Sequence, residues 1–318
     1  MDKQYISSWL RLLRIPNLAI MAITQYLIRY TIIRPVLYAS GDALATSGFD
    51  FLLLVLTTLL IAAAGYIIND LVDVKIDTIN RPEKVVIGTI ISPLTVQTVY
   101  ITLNVIGCIF GFFIAYKVRS VSFGLLFPFI VFMLWFYATH YKRMLLSGNL
   151  VIAFLSAFVL LIVWLFEFFM IRQHPLVFAD VMKYILPAFW YVGAYALFAF
   201  VVTLVREIIK DMEDREGDAK GGCRSLPIVL GDKKAARIAA VLSWFTILLI
   251  AWMQYLLWKQ GSTLVVWYAI AVLQIPLAFL AVKVLKASTR ADLHYLSTFA
   301  KVIMLAGILS MQVLFISF

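Results

Sequence analysis

Nine apolar runs, each close to the length of a membrane-spanning helix, govern what this chain can fold into. A helix needs about 20 mostly apolar residues to cross the hydrocarbon core of a bilayer. Within hydrocarbon, a helix also gives every backbone polar group a partner inside its own segment. The runs cover residues 18–33, 51–68, 93–116, 121–139, 150–171, 184–205, 235–258, 264–284 and 298–316. The sequence therefore predicts an all-α integral membrane protein with nine transmembrane helices.

The composition agrees with a membrane protein. The 318 residues are 64% hydrophobic and 14% charged, whereas soluble domains are roughly 45–50% apolar and about 25% charged. No stretch is long enough for a separate soluble domain, so residues 1–318 are predicted to form a single membrane domain. Arg29 interrupts the first run, which favours a retained helix over a cleaved signal peptide. Cys108 and Cys223 provide no disulfide framework.

The net charge of +10 is distributed unevenly along the chain. Of the 27 Lys and Arg residues, 20 lie in the N-terminal segment or at the connections after the second, fourth, sixth and eighth runs. Basic residues concentrate on the cytoplasmic side of membrane proteins. We therefore expect a cytoplasmic N-terminus, a multi-pass topology and no nucleic-acid partner.

Two acidic clusters share the spacing D-x-x-D-x-x-x-D and follow the second and sixth runs. On a helix, positions i, i+3 and i+7 share one face, so each cluster projects three carboxylates in one direction. Carboxylates grouped in this way are typical of divalent-cation sites. Chance placement in ordinary solvated loops is the alternative, and the repetition of the spacing counts against it. The clusters are Asp70, Asp73 and Asp77, and Asp211, Asp214 and Asp218.

The positions of the clusters indicate how the chain is organised. Four runs separate them, so both are expected on the same, cytoplasmic, face. The chain then divides into two similar four-helix halves, 1–148 and 149–318, and the second half carries one extra helix. We expect these helices to surround a central cavity that opens to the cytoplasm.

Basic residues accompany both clusters and the connection after the fourth run. Carboxylates beside Lys and Arg imply a third, strongly anionic group. Mg²⁺ is usually held by one or two carboxylates together with substrate phosphate oxygens, so a diphosphate bridged by Mg²⁺ satisfies these charges. Positive-inside anchoring is the alternative role for Lys142 and Arg143. The candidates for binding the diphosphate are Arg81, Lys84, Lys142, Arg143, Lys210 and Arg224.

At these residues the chain resembles the UbiA superfamily of intramembrane prenyltransferases. The first family motif, N-D-x-x-D-x-x-x-D followed by R-P, is matched from Asn69 to Pro82 without departure. The second, D-x-x-x-D, is matched by Asp214 and Asp218, with Asp211 as an upstream extension. Tyr137, Lys142 and Arg143 match a Tyr-then-Lys/Arg segment after the fourth helix, and Asn17 is similar to a family asparagine near the start of helix 1.

The resemblance implies transfer of a polyprenyl group from a prenyl diphosphate to a lipophilic acceptor through an allylic carbocation, with Mg²⁺ as cofactor. It assigns the six aspartates to metal or catalysis, Asn69 and Asn17 to the diphosphate site, and Tyr137 to the neighbourhood of the ionising carbon. The segment from Arg206 to Pro227 looks like the geranylgeranylglyceryl-phosphate branch of the superfamily, which favours that acceptor. We further expect a prokaryotic cell membrane, surrounding lipid and no obligate protein partner.

Other functions remain open at the level of sequence. The acceptor could be an aromatic quinone precursor of the 4-hydroxybenzoate or dihydroxynaphthoate type. Ionisable residues in membrane helices also mark ion pathways, which keeps a cation transporter as an alternative from another class. A CDP-alcohol type transferase is less favoured, because Val74 replaces the glycine that such a motif requires after its second aspartate. A non-catalytic prenyl-lipid-binding protein is a further alternative.

Overall fold

The computed structural model describes residues 3–37, 45–80 and 82–317, in which helices are linked by short turns. We number the helices α1 to α11 along the chain. They are α1 Lys3–Leu12, α2 Ile15–Leu37, α3 Gly48–Asn80, α4 Pro93–Lys117, α5 Val121–Thr139, α6 Ser147–Ile171, α7 Pro175–Lys220, α8 Leu226–Leu230, α9 Asp232–Lys259, α10 Thr263–Val284 and α11 Arg290–Ser317. The prediction of an all-α membrane protein is confirmed.

Eight of the described helices are long and apolar enough to cross a bilayer, and the bent pair α1 and α2 counts as a ninth when taken as one span. The nine apolar runs therefore each coincide with a helix. The first run differs from a simple helix, because the chain bends by 47° between α1 and α2. Arg14 sits at this bend with a φ of 52°, a left-handed conformation that interrupts helical hydrogen bonding.

Two helices extend well beyond the thickness of a bilayer. At 1.5 Å per residue, the 33 residues of α3 and the 46 residues of α7 are about 50 Å and 69 Å long. The hydrocarbon core measures only about 30 Å. Both acidic motifs lie on these extensions, within the last 11 residues of α3 and the last 10 of α7. The motifs therefore continue the helices, and the helical spacing of their carboxylates is retained.

The buried core holds the two long helices together. One apolar cluster joins α2 to α7 and the end of α11, and a second joins α6 and α7 to α9, α10 and α11. A third, smaller cluster packs Leu12 of α1 and Ile67 of α3 against the turn that contains Val86 and Ile91. Since α7 takes part in both large clusters and also contacts α3, the motif-bearing ends of α3 and α7 are fixed relative to each other.

Close contact between α4 and α5 depends on a glycine. A Cβ atom added at Gly111 would overlap the ring of Phe127, which is 1% exposed, whereas one added at Gly193 of α7 would meet nothing within 4 Å. We expect Gly111→Ala to destabilise the protein by about 1–3 kcal/mol, because overpacking forces a buried side chain to move. Gly193→Ala is the control and should maintain or raise the melting temperature, since alanine favours helix. Equal melting temperatures for both purified variants would contradict the packing described here.

Candidate active site

The two acidic motifs both interact with a partly buried lysine. The Lys142 ammonium, on the short turn Tyr141–Arg143, forms an ion pair with Asp73 of α3 and interacts electrostatically with Asp218 of α7. The side chain of Asp73 is 4% exposed and that of Lys142 is 22% exposed. We call these three residues the acidic junction. Burial lowers the pKa of the Lys142 ammonium, but its interactions with Asp73, Tyr137 and Asp218 together outweigh burial and leave this pKa raised, so Lys142 remains charged.

Other aspartates of the motifs have polar partners from distant helices. Arg14 Nη2 donates a hydrogen bond of 2.6 Å to Asp70 Oδ1, and its guanidinium lies 4.8 Å from the centre of the Tyr66 ring. Asn149 Nδ2, near the start of α6, donates a hydrogen bond of 2.8 Å to Asp211 Oδ2. Each cluster thus has a polar partner from another helix, and Lys142 interacts with both clusters.

The remaining predicted residues lie at different distances from the junction. Asp77 interacts electrostatically with Asp73 and Lys142, whereas Asp214 lies 3.9 Å from Arg290 at the start of α11. Arg224 is exposed in the connection between α7 and α8 and is absent from the described lining of the cavity below. Arg81 lies outside the described residues, and the side chains of Lys84 and Arg143 are likewise outside the description.

A cavity of about 410 Å³ lies between the spans beside the acidic junction. It is mostly apolar and lined from α2, α3, α5, α6, α7 and α11. Along α7 it runs from Lys210 to Tyr195, a rise of about 22 Å at 1.5 Å per residue. Its polar end, as we call it, is formed by Arg14, Asn17, Tyr66, Asn69, Tyr137, Arg206, Glu207, Lys210 and Lys301.

The polar end of the cavity interacts electrostatically with the acidic junction. Tyr137 lines the cavity and interacts with Lys142, Glu207 and Asp211. Asn17 also lines it and hydrogen-bonds Tyr66. The cavity therefore offers an anionic head group a charged end and a hydrocarbon chain a long apolar wall. The mostly apolar wall is less suited to a hydrated cation than to a hydrocarbon chain.

The donor set around the junction fits a magnesium ion that brings its own oxygen ligands. Among the described residues, no three Asp, Glu, His or Cys side chains converge closely enough to enclose an ion. Mg²⁺ is commonly held by one or two carboxylates, with phosphate oxygens and water completing its octahedron. The Oδ1 atom of Asn69 is buried without a hydrogen-bond partner, so a free oxygen ligand or acceptor is present at the cavity wall.

Several residues of this site were not predicted from the sequence. These residues are Arg14, Tyr66, Asn149 and Lys301. Each lies on a span or a helix end where a single polar residue has an ordinary explanation as a cap or an interfacial anchor. A polar residue within an otherwise apolar run, such as Lys301 within 298–316, was the available signal.

The fold and site together define a helical multi-pass membrane protein whose apolar cavity ends at paired acidic and basic side chains. Residues 31–302 match the UbiA prenyltransferase family, and the chain belongs to this family. The digeranylgeranylglyceryl phosphate synthase of Methanothermobacter thermautotrophicus is 33% identical over 204 residues, which cover 62% of this chain and 63% of that protein. The match therefore spans less than two thirds of that relative's length.

Solved structures show the same fold. One described as digeranylgeranylglyceryl phosphate synthase in membranes has a TM-score of 0.63 at 24% identity, covering 97% of this chain and 99% of that one. A UbiA homologue from Archaeoglobus fulgidus, bound to DMAPP and Mg²⁺, has a TM-score of 0.54 at 17% identity, covering 96% of this chain and 99% of that one. These structures support the nine-span architecture and establish that a relative of this fold binds a prenyl diphosphate with Mg²⁺.

The acidic junction makes a prediction about stability. Lys142→Met leaves the buried Asp73 carboxylate unpaired, which typically costs about 3–5 kcal/mol. We expect a lower melting temperature, partly restored by adding Asp73→Asn, because the neutral amide no longer needs a cation. Lys220→Met is the control, since Lys220 pairs with Glu216 on the exposed end of α7 and exposed pairs contribute little. An equal effect of both single substitutions would contradict the arrangement.

Proposed function

We propose that this protein transfers a geranylgeranyl group from geranylgeranyl diphosphate to geranylgeranylglyceryl phosphate in a Mg²⁺-dependent reaction. The observation that carries the proposal is the acidic junction, which brings both aspartate motifs and Lys142 beside the polar end of a long apolar cavity. The synthases to which the chain is similar support this choice of acceptor, and the Mg²⁺-bound homologue supports the cofactor.

The six motif aspartates are proposed to hold the metal, and cationic side chains are proposed to bind the diphosphate. Asp73, Asp77 and Asp218 are the carboxylates that interact with Lys142 or with one another. Lys142 and Lys210 are proposed to bind phosphate oxygens of the diphosphate. Bound Mg²⁺ stabilises the negative charge that grows on the departing diphosphate. The lysines add to this stabilisation without moving, because their positions are set before the substrate arrives.

The apolar wall of the cavity is proposed to favour bond formation with the acceptor over reaction with water. The C–O bond of the allylic diphosphate breaks, and the apolar wall excludes water that would otherwise trap the cation. The acceptor hydroxyl oxygen then bonds to C1 of the prenyl chain and releases its proton. Glu207 is the carboxylate among the described residues of the lining, so we assign the proton to its side chain. Tyr137 lines the cavity and is proposed to lie beside the ionising carbon and position the prenyl diphosphate.

The topology of the protein is part of the same proposal. The surplus of basic residues supports a cytoplasmic location for the N-terminus and both acidic motifs. Water-soluble Mg²⁺ and the diphosphate product would then exchange with the cytoplasm, while both prenyl chains remain in the membrane. The relatives with this synthase name are archaeal, in agreement with a prokaryotic cell membrane.

A direct assay tests the reaction. Purified protein with labelled geranylgeranyl diphosphate should prenylate geranylgeranylglyceryl phosphate, but neither 4-hydroxybenzoate nor dihydroxynaphthoate, and a chelator should stop the reaction. Asp70→Asn and Asp218→Asn should each reduce turnover by at least about 100-fold, because a metal or diphosphate contact is lost. Asp180→Asn, an exposed change at the opposite end of α7, is the control. Activity in chelator, or a preference for an aromatic acceptor, would overturn the proposal.

Asn149 provides a test of how a motif carboxylate is oriented. Loss of its hydrogen bond to Asp211 should weaken Mg²⁺ binding by about 10–100-fold, as expected when a group supporting a metal ligand is removed. The measurement is the Mg²⁺ concentration that half-maximally raises the melting temperature in the presence of prenyl diphosphate. Asn104→Ala is a matched control, because Asn104 is equally buried but bonds only within α4. An unchanged Mg²⁺ requirement in Asn149→Ala would refute this role.

A further inference from the structure

The polar end of the cavity contains more positive charge than the proposed diphosphate site explains. Four cationic side chains line it among the described residues, Arg14, Arg206, Lys210 and Lys301, against one carboxylate, that of Glu207. Like charges brought together at one end of a cavity repel one another unless an anion accompanies them. The surplus therefore indicates that an anionic group occupies this region when the protein works.

The four cationic side chains differ in whether they have an ion-pair partner. Arg14 is paired with Asp70 at 2.6 Å, and Arg206 is paired with Glu207. Lys210 and Lys301 form no ion pair within the part of the chain that the structure describes. Arg206 also has a buried Nε atom without a hydrogen-bond partner. Free donors thus remain on both α7 and α11, facing the same cavity.

The motif aspartates are not among the main electrostatic partners of Lys301. Its main electrostatic interactions are repulsive ones with Arg206, Lys210 and Arg14, and an attractive one with Glu207. Lys142, in contrast, interacts with Asp73 and Asp218. One side of the site is therefore rich in carboxylates and suits an anion that arrives with a divalent cation. The other side is rich in cations and suits an anion that needs no metal.

We propose that Lys301 and Arg206 bind the phosphate monoester of the acceptor. This inference rests on the proposed function, and it identifies which part of the acceptor the protein recognises. A phosphate monoester carries a charge of about −1.5 to −2 at neutral pH, which is opposite in sign to the two side chains that would bind it. Arginine and lysine are the usual partners of such groups. Anchoring the phosphate on the α11 side leaves the acceptor hydroxyl on the side of the diphosphate.

The proposal makes Lys301 a determinant of acceptor specificity. A site built for a phosphate disfavours an analogue without it, because the interactions of Lys301 and Arg206 with the phosphate would then be lost. Loss of the lysine should remove much of that discrimination while the diphosphate site stays intact. The matched pair of acceptors is geranylgeranylglyceryl phosphate and its dephosphorylated form, geranylgeranylglycerol.

The kinetic test compares Lys301→Met, Lys301→Arg and Lys286→Met. Lys286 is exposed in the connection before α11 and lies outside the cavity lining, so its loss controls for charge. We expect Lys301→Met to raise the KM for the phosphorylated acceptor by about tenfold or more, with the KM for prenyl diphosphate within about twofold of the wild type. The ratio of kcat/KM between the two acceptors should fall by a similar factor, and Lys301→Arg should retain most of it.

A binding measurement separates this inference from the proposed function. The melting temperature of the purified protein is followed with each acceptor in the absence of Mg²⁺ and prenyl diphosphate. Stabilisation by the phosphorylated acceptor that Lys301→Met abolishes would support the anion site even if no transfer occurred. Transfer by wild type with unaltered acceptor discrimination in Lys301→Met would overturn the inference and leave the function standing. A parallel rise in both KM values would also overturn it, since Lys301 would then serve the diphosphate.

Discussion

The structure depends on balancing carboxylates that are brought together from two helices. Six aspartates from α3 and α7 would repel one another if the two motifs approached without a countercharge. Lys142 pairs with Asp73, also interacts electrostatically with Asp218, and offsets that repulsion. Arg14 and Asn149 act similarly on Asp70 and Asp211. The protein thus supplies its own cations and amide donors to keep the site assembled.

This balance has a consequence for how ligands are bound. The carboxylates of the described residues do not enclose an ion by themselves, so metal and diphosphate are expected to bind together, each completing the site of the other. The cation-rich side around Lys301 has a different electrostatic character. In the proposed reaction, the two anionic substrates are therefore distinguished by whether they require a metal, and each prenyl chain is accommodated by apolar surface.

The bilayer explains why the site is built on overlong helices. Within hydrocarbon, charged side chains are unfavourable, and every backbone polar group needs a partner. By extending α3 and α7 beyond the apolar spans, the chain places carboxylates outside the hydrocarbon without breaking the helices that carry them. The cavity then joins this polar region to the apolar interior. A prenyl diphosphate has the same division between a charged head and a hydrocarbon chain.

The sequence by itself determined the nine spans, the helical face shared by each aspartate triplet and the family. Hydropathy and spacing are local properties, so they can be recognised without knowing which helices pack together. Tertiary structure alone decided the bend at Arg14, the contact of Arg14 with Asp70 and that of Asn149 with Asp211, between residues 56 and 62 positions apart. It also placed Lys301 in the cavity lining and Arg224 outside it. Helix packing brings such distant residues together, and no repeating pattern in the sequence records which pairs will meet.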